Sequence, residues 1–220
     1  MSQSPGSVCA MSRSRLAVVA LVSLVVTALL SLGVSRGFGA LRLEWRTLQV
    51  LPRHRSTSWG DLANFLAVPV ISGVLMASLV FGALRRVLLR VLVGAGSAAL
   101  AFVISEQVMK PLVGQRWNGP LLSFPSGNVT AVCATALAMW VALYPVLGQW
   151  TRIITFVFGA AWTLLMSIAV VGAFWHTPLD AIGSVLLSVG VVTAVAAILH
   201  PKASPAPPAA RTPVRLTAGV

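Results

Sequence analysis

The chain has 220 residues and a mass of 23.0 kDa; 57% of its residues are hydrophobic, 9% are charged, and its mean hydropathy is +0.91. A water-soluble domain keeps about 25% charged residues to wet its surface, so this composition excludes one and requires contact with lipid. The net charge of +12 and the pI near 11.9 do not point to nucleic acid, because the basic residues stand at the ends of apolar runs and none of their stretches is interleaved with aromatics.

Residues 1–12 are small and polar and read as a disordered leader, with Met11 as an alternative start to Met1. Arg13 and Arg15 then open a membrane domain over 13–200. Its first apolar run, 16–34, is close to the roughly 20 residues that cross a bilayer. It exceeds the ~7–15 apolar residues of a signal peptide, so an uncleaved span is expected. A polar connection over 36–60 carries Arg42, Glu44, Arg46, Arg53, His54 and Arg55. The second span, 61–84, closes at Arg85 and Arg86, and the third, 87–109, closes at Lys110. A connection that short makes these two an antiparallel hairpin. Residues 110–125 hold three Pro and two Gly and are not expected to form a continuous helix. Spans four, five and six are expected over 126–146, 153–171 and 178–199, followed by a Pro/Ala-rich, disordered cytoplasmic tail over 201–220. The fold class is therefore all-α, a polytopic bundle of six transmembrane helices. Cys9 and Cys133 lie in differently solvated places, and no disulfide is expected between them.

Six spans put both termini on one face. That face gathers nine Arg and Lys residues against seven on the other, a bias toward cytoplasmic termini. The opposite, outer face is unusually basic, which suits a surface that holds something anionic.

Three segments share that outer face: Lys110 to Arg116, Phe124-Pro125-Ser126-Gly127-Asn128, and His176-Thr177-Pro178-Leu179-Asp180. The last two open helices, where unsatisfied amides and the positive end of the dipole attract anions. Gly127 lets an anion approach the backbone closely. Lys110 and Arg116 add charge-assisted donors, Arg as a fork that fits two phosphoryl oxygens. His176 is the nucleophile of the set, and Asp180, four residues on, is placed to accept its other ring N–H.

With these residues the chain resembles the phosphatidic acid phosphatase type 2 superfamily, which includes lipid phosphate phosphatases and is related to vanadium haloperoxidases. That family carries a Lys…Arg-Pro motif, a Pro-Ser-Gly-His motif and a Ser-Arg…His-x-x-x-Asp motif on a six-span bundle whose site faces outward in bacteria. The resemblance, to a divergent bacterial member, covers about 60–200 in order and spacing. It implies that Lys110, Arg116, Ser126, Gly127 and Asn128 line the phosphate site, that His176 forms a phosphohistidine, and that Asp180 orients it. The implied function is a membrane lipid phosphatase acting on a lipid-linked phosphate or diphosphate at the outer leaflet of the plasma membrane.

The motifs also depart from the family pattern. One residue fewer separates Lys110 from Arg116, and Trp117 replaces the Pro. Asn128 stands in place of the His that protonates the leaving group, and Ala169 and Val170 stand in place of Ser and the phosphate-binding Arg. An alkoxide leaving group has a conjugate acid nearly as weak as water, whereas a departing phosphate, with a pKa of about 6, leaves unprotonated. A chain without its acid therefore favours a diphosphate such as a polyprenyl diphosphate. His54, the other His on the outer face, is the candidate substitute acid. Two alternatives accompany the hydrolase: a catalytically silent relative that binds anionic lipid headgroups as a partner subunit, and a transferase that passes the phosphoryl or headgroup to another acceptor.

Simpler readings stand beside these. Thr177-Pro178-x-Asp180 is also a helix start with Asp180 as its cap. His54 suits an amphipathic interface position, and Lys110 and Arg116 suit topology anchors. Glu106, one turn before Lys110, reads as its ion-pair partner rather than as a functional carboxylate. Asp61 and Asn64 begin the second helix. Ser126, Thr130 and Ala134 form a small-residue packing stripe. Trp45, Trp59, Trp117, Trp150 and Trp175 read as interface anchors. The sequence has no Gly-rich nucleotide loop and no Cys/His cluster, so neither a cofactor nor a metal is expected. The expected partners are a phosphorylated lipid substrate and membrane lipids, not nucleic acid; protein partners are not indicated.

Overall fold

The computed structural model describes residues 12–37, 56–116 and 122–199. The expectations for the leader, for the tail, and for Trp45, His54 and Trp117 fall outside these residues. Six helices among them are long and apolar enough to cross a membrane. They are α1 (Arg13–Ser35), α2 (Ser56–Leu84), α3 (Leu88–Val113), α4 (Gly127–Leu143, continued by a 3₁₀ turn at Tyr144–Val146), α5 (Gln149–Gly172) and α6 (Pro178–Leu199). The protein is an all-helical membrane bundle.

Several helix ends differ from the expected ones, for physical reasons. α1 begins at Arg13 because Ser12 caps it, its hydroxyl accepting from Arg15 N–H at 3.3 Å. α2 runs through the polar Thr57, Ser58 and Gly60, so Asp61 and Asn64 lie in its second turn instead of opening it. Backbone bonds close whether or not the side chains are apolar, and polarity marks where the membrane ends rather than where the helix does. α3 does not stop at Met109. Residues Ile104–Met109 form a π turn, in which Lys110 N–H reaches back five residues to Ser105 O, and an α turn at Lys110–Val113 follows. The widened turn directly before Pro111 accommodates a residue that lacks an N–H and crowds the preceding turn. Gly114, at φ 66°, then ends the helix. The short α2–α3 connection is an antiparallel hairpin turned by Arg86 at φ 57°.

α4 and α6 are the centre of the bundle. Half of each spanning window is buried, against 22% for α1 and α2. α4 touches α2, α3, α5 and α6, while α1 lies along α6. Small residues permit the close approaches: a Cβ on Gly190 would meet Leu24 at 2.7 Å, and one on Gly183 would meet the ring of the fully buried Phe124 at 2.5 Å. Hydroxyls tie α6 to α4. Ser184 Oγ donates to Ser126 O at 2.9 Å and to Asp180 O at 2.6 Å; Ser188 Oγ donates to Thr130 O at 3.2 Å and to Ser184 O at 2.8 Å. Thr130 and Ala134 are fully buried in this contact, which is the packing their spacing predicted.

Gly183→Ala is expected to displace Phe124 and to cost about 1–3 kcal/mol of stability, as overpacking does. Gly73→Ala, whose Cβ meets nothing within 4 Å, is expected to leave stability unchanged or slightly raised. Thermal unfolding of the two variants in detergent, compared with the parent, checks both.

Candidate functional site

The end of α3, the start of α4, the end of α5 and the start of α6 meet at one end of the bundle. Ser126 is the N-cap residue of α4 and wholly buried, yet its hydroxyl makes no capping bond. The first amides of a helix have no intrahelical acceptor, so both they and Ser126 Oγ remain uncommitted to the protein. Ser126 N–H donates to Asp180 O at 3.4 Å, which sets the start of α4 against the start of α6.

Asp180 does two things, as its position allowed. Its Oδ2 accepts from Thr177 N–H at 2.9 Å while Thr177 Oγ1 accepts from Asp180 N–H at 3.3 Å, a reciprocal capping box. The same Oδ2 lies 3.4 Å from His176 Nδ1. That is a contact rather than a formed hydrogen bond, since neither His176 Nδ1 nor Asp180 Oδ1 has a hydrogen-bond partner. Catalytic hydrogen bonds are commonly this loose before a ligand tightens them. Asp180 is 0% exposed and His176 12%.

The turn that presents His176 is fixed from behind. Val170 O accepts from both Trp175 N–H at 3.1 Å and His176 N–H at 3.3 Å. Trp59 of α2 lies on Gly172, where a Cβ would come within 2.8 Å of its ring, and Trp175 lies on Gly60, where the same distance is 3.0 Å. Trp59 and Trp175 therefore interlock α2 with the His176 turn. Trp59 and Trp175, expected as interface anchors, thus also pack on glycines of the facing segments. Val170 is itself fully buried in the apolar cluster with Ala63, Met166 and Ala181, so no charged ligand stands at that position.

Lys110 is not at the end of its helix but one turn inside it. Its Nζ donates to Glu106 Oε2 at 2.8 Å and lies 2.7 Å from Oε1, the expected ion pair. The placement of that pair was not expected. A Cβ on Gly127 would collide with Glu106 Oε1 and stand 3.0 Å from its Cδ, so the carboxylate and Lys110 sit directly at the start of α4. Arg116 is exposed and held by an antiparallel bridge to Leu122, and Ser123 N–H donates to Gln115 O at 2.9 Å. This ties Arg116 to the segment entering α4 through Phe124 and Pro125. Asn128 is half-buried in the first turn of α4.

The structure thus brings Lys110, Ser126, Gly127, Asn128, His176 and Asp180 to one place, with Arg116 on the adjoining strand. Sequence reasoning gave Glu106 only as the partner of Lys110 and did not single out Gln115, Ser123 or Ser184. Gln115 Oε1, Ser123 Oγ and Ser126 Oγ are buried without a hydrogen-bond partner among the described residues. Such a group of uncommitted polar atoms beside two helix starts suits a polar, anionic ligand. The four-residue spacing of Asp180, Ser184 and Ser188, matching that of Ser126 and Thr130, was the one available signal for Ser184.

A solved transmembrane PAP2-type phosphatidylglycerolphosphate phosphatase from Bacillus subtilis superposes on this chain with a TM-score of 0.61 at 15% identity, over 81% of this chain and 94% of that one. The chain has the fold of that phosphatase. No protein-family model matches the sequence, and no curated protein matches it.

Asp180→Asn keeps an acceptor for Thr177 N–H, whereas Asp180→Ala removes it. The Ala variant is expected to lose about 0.5–2 kcal/mol more than the Asn variant, read as the difference in their thermal midpoints.

Proposed function

We propose that the protein is a membrane lipid phosphatase of the phosphatidic acid phosphatase type 2 kind, hydrolysing a lipid-linked phosphate or diphosphate through a phosphohistidine. The observation that carries this reading is the buried His176–Asp180 pair beside the uncapped start of α4. His176 Nε2 attacks phosphorus while Nδ1–H faces Asp180, which holds the tautomer and balances the charge that forms on the ring. Lys110, Arg116, Ser126 Oγ and the amides around Gly127 stabilise the charge on the transferred group. Water then cleaves the N–P bond. The fold shared with the Bacillus subtilis phosphatase supports the same class of reaction.

A lipid substrate is supported by an apolar lateral groove of about 770 Å³ between α4, α5 and α6. It reaches Pro178 and Ala181, beside the His176–Asp180 pair, and continues past Ala160 to Trp140. We place the hydrocarbon chain of the substrate there, with the site at the outer leaflet of the plasma membrane and both termini in the cytoplasm, the orientation the basic residues favour. A polyprenyl diphosphate is the favoured substrate, because its phosphate leaving group needs no proton and Asn128 supplies none.

A second reading, a silent relative that binds anionic headgroups as a partner subunit, is favoured by one observation: the family's third-motif Arg is replaced by Val170, which is committed to the core. Phosphate release by the purified protein from a polyprenyl diphosphate and from phosphatidic acid, each beside His176→Ala, separates the two. Release faster from the diphosphate and lost in the variant is expected; release unchanged by the variant sinks the hydrolase. Ala160→Trp is expected to raise KM for long-chain lipids about tenfold or more and to leave hydrolysis of a water-soluble phosphate ester unchanged.

A further inference from the structure

The reaction proposed above leaves one proton without a donor. Asn128 has no acidic proton, and a monoester such as phosphatidic acid expels an alkoxide that requires one. We propose that Glu106 is the general acid that protonates the leaving oxygen; this rests on the phosphatase reading and extends it to monoester substrates.

The position of the carboxyl is what points to it. Glu106 Oε1 is buried, lies 2.7 Å from Lys110 Nζ, and stands against Gly127, the first residue of α4. Beside it is Ser126, whose hydroxyl is unpartnered and whose N–H bonds Asp180 O, so the carboxyl and the His176–Asp180 pair flank the same helix start. The side chain remains 24% exposed, open enough to meet a ligand. Glu106 is carried by the π turn Ile104–Met109, where the extra backbone residue re-aims side chains relative to a regular helix. That turn is docked on α4, with Thr130 Oγ1 3.4 Å from Ser105 Oγ.

The charged and titratable groups around Glu106 are few. Among the described residues its own helix supplies Lys110, in contact with it; across the start of α4 stand His176 in the turn before α6 and Asp180 in α6, the α3–α4 connection carries Arg116, and the first turn of α4 supplies none. A phosphate drawn to Lys110 and the α4 amides competes with the Glu106 carboxylate for Lys110, and a carboxyl that gives up its ion pair to a neighbouring anion is favoured in its protonated form. Substrate binding thereby brings in the proton that the chemistry needs. His176 Nε2 forms the N–P bond, the P–O ester bond breaks, and the departing oxygen takes the proton from Glu106. In the second step water adds to phosphorus, its proton returns to the Glu106 carboxylate, the N–P bond breaks, and inorganic phosphate and neutral His176 are released.

The test compares the full chain in detergent with Glu106→Gln and Glu106→Asp, alongside His176→Ala. Single-turnover rates of phosphatidic acid and polyprenyl diphosphate cleavage are measured across pH, because a single turnover reports P–O cleavage alone. Glu106→Gln is expected to slow phosphatidic acid cleavage about 10²–10⁴-fold and to slow diphosphate cleavage less than about tenfold. A general acid must be protonated, so the parent's monoester rate falls as pH rises; that fall is expected to vanish in the Gln variant and to persist in the Asp variant, which recovers part of the rate. Equal slowing of both lipids would mean that Glu106 only positions Lys110 or supports the fold, and would overturn the proposal. An unaffected monoester rate, or a parent that cleaves only the diphosphate, overturns it as well. Absence of His176-dependent cleavage of either lipid fails the phosphatase reading itself, and the proposal falls with it.

Discussion

The close contact of α4 with α6 is the constraint from which the rest of the molecule follows. Lipid tails are as apolar as Leu, so helices within a membrane gain little from hiding apolar surface from one another, and close approach must come from small residues and interhelical hydrogen bonds. Ser126, Thr130 and Ala134 on one helix and Gly183, Ser184 and Ser188 on the other supply both. Each of the two Ser side chains of α6 bonds its own helix and the backbone of α4. This fixes the axial register of the two helices. Slipped by one turn, about 5.4 Å, Ser126 and Asp180 would part, and the Ser126 N–H would lose the Asp180 backbone carbonyl.

With that register fixed, the remaining elements serve to aim side chains. The turn between α5 and α6 places Phe174 at φ 59°, a left-handed conformation that costs a bulky residue on the order of 1–2 kcal/mol. Tertiary contacts sustain it: two amides on the Val170 carbonyl, Trp59 on Gly172 and Trp175 on Gly60. The capping box fixes the Asp180 carboxylate independently of His176, and its second oxygen remains uncommitted. On the other side of the α4 start, the π turn of α3 brings Glu106 and Lys110 inward together. One helix start is thus met from two directions by groups of different chemistry, an imidazole with a carboxylate on one side and an ion pair on the other. At the opposite end of the bundle, Arg152 Nε donates to Tyr144 O at 2.9 Å and its guanidinium lies 4.2 Å from the Tyr144 ring.

The six spans were legible because the bilayer demands long apolar runs, and a Pro or a charge marks their ends. α6, bounded by Pro178 and Leu199, was read to the residue. Helix ends were less legible where polar residues continue a helix beyond the membrane, as at Ser56 and Gln149, or where an irregular turn makes room for a Pro, as before Pro111. Of the site, His176, Asp180, Ser126 and Gly127 were visible because their spacing at helix starts has a chemical reason. Glu106 was visible only as a partner of Lys110, since the local i to i+4 pair explained it fully and nothing in the sequence reported its approach to Gly127.

The sequence by itself determined the solvent, the number of spans, the starts of α4 and α6 and the candidate nucleophile, all of which depend on composition and on spacings within one segment. The tertiary structure alone decided which segments face one another. It set Ser126 against Asp180, pressed Glu106 onto Gly127, turned Trp59 and Trp175 onto glycines, and buried Val170 where a charged ligand was conceivable. These are contacts between residues distant in the chain, selected by the shape of packed surfaces, and no local periodicity encodes them.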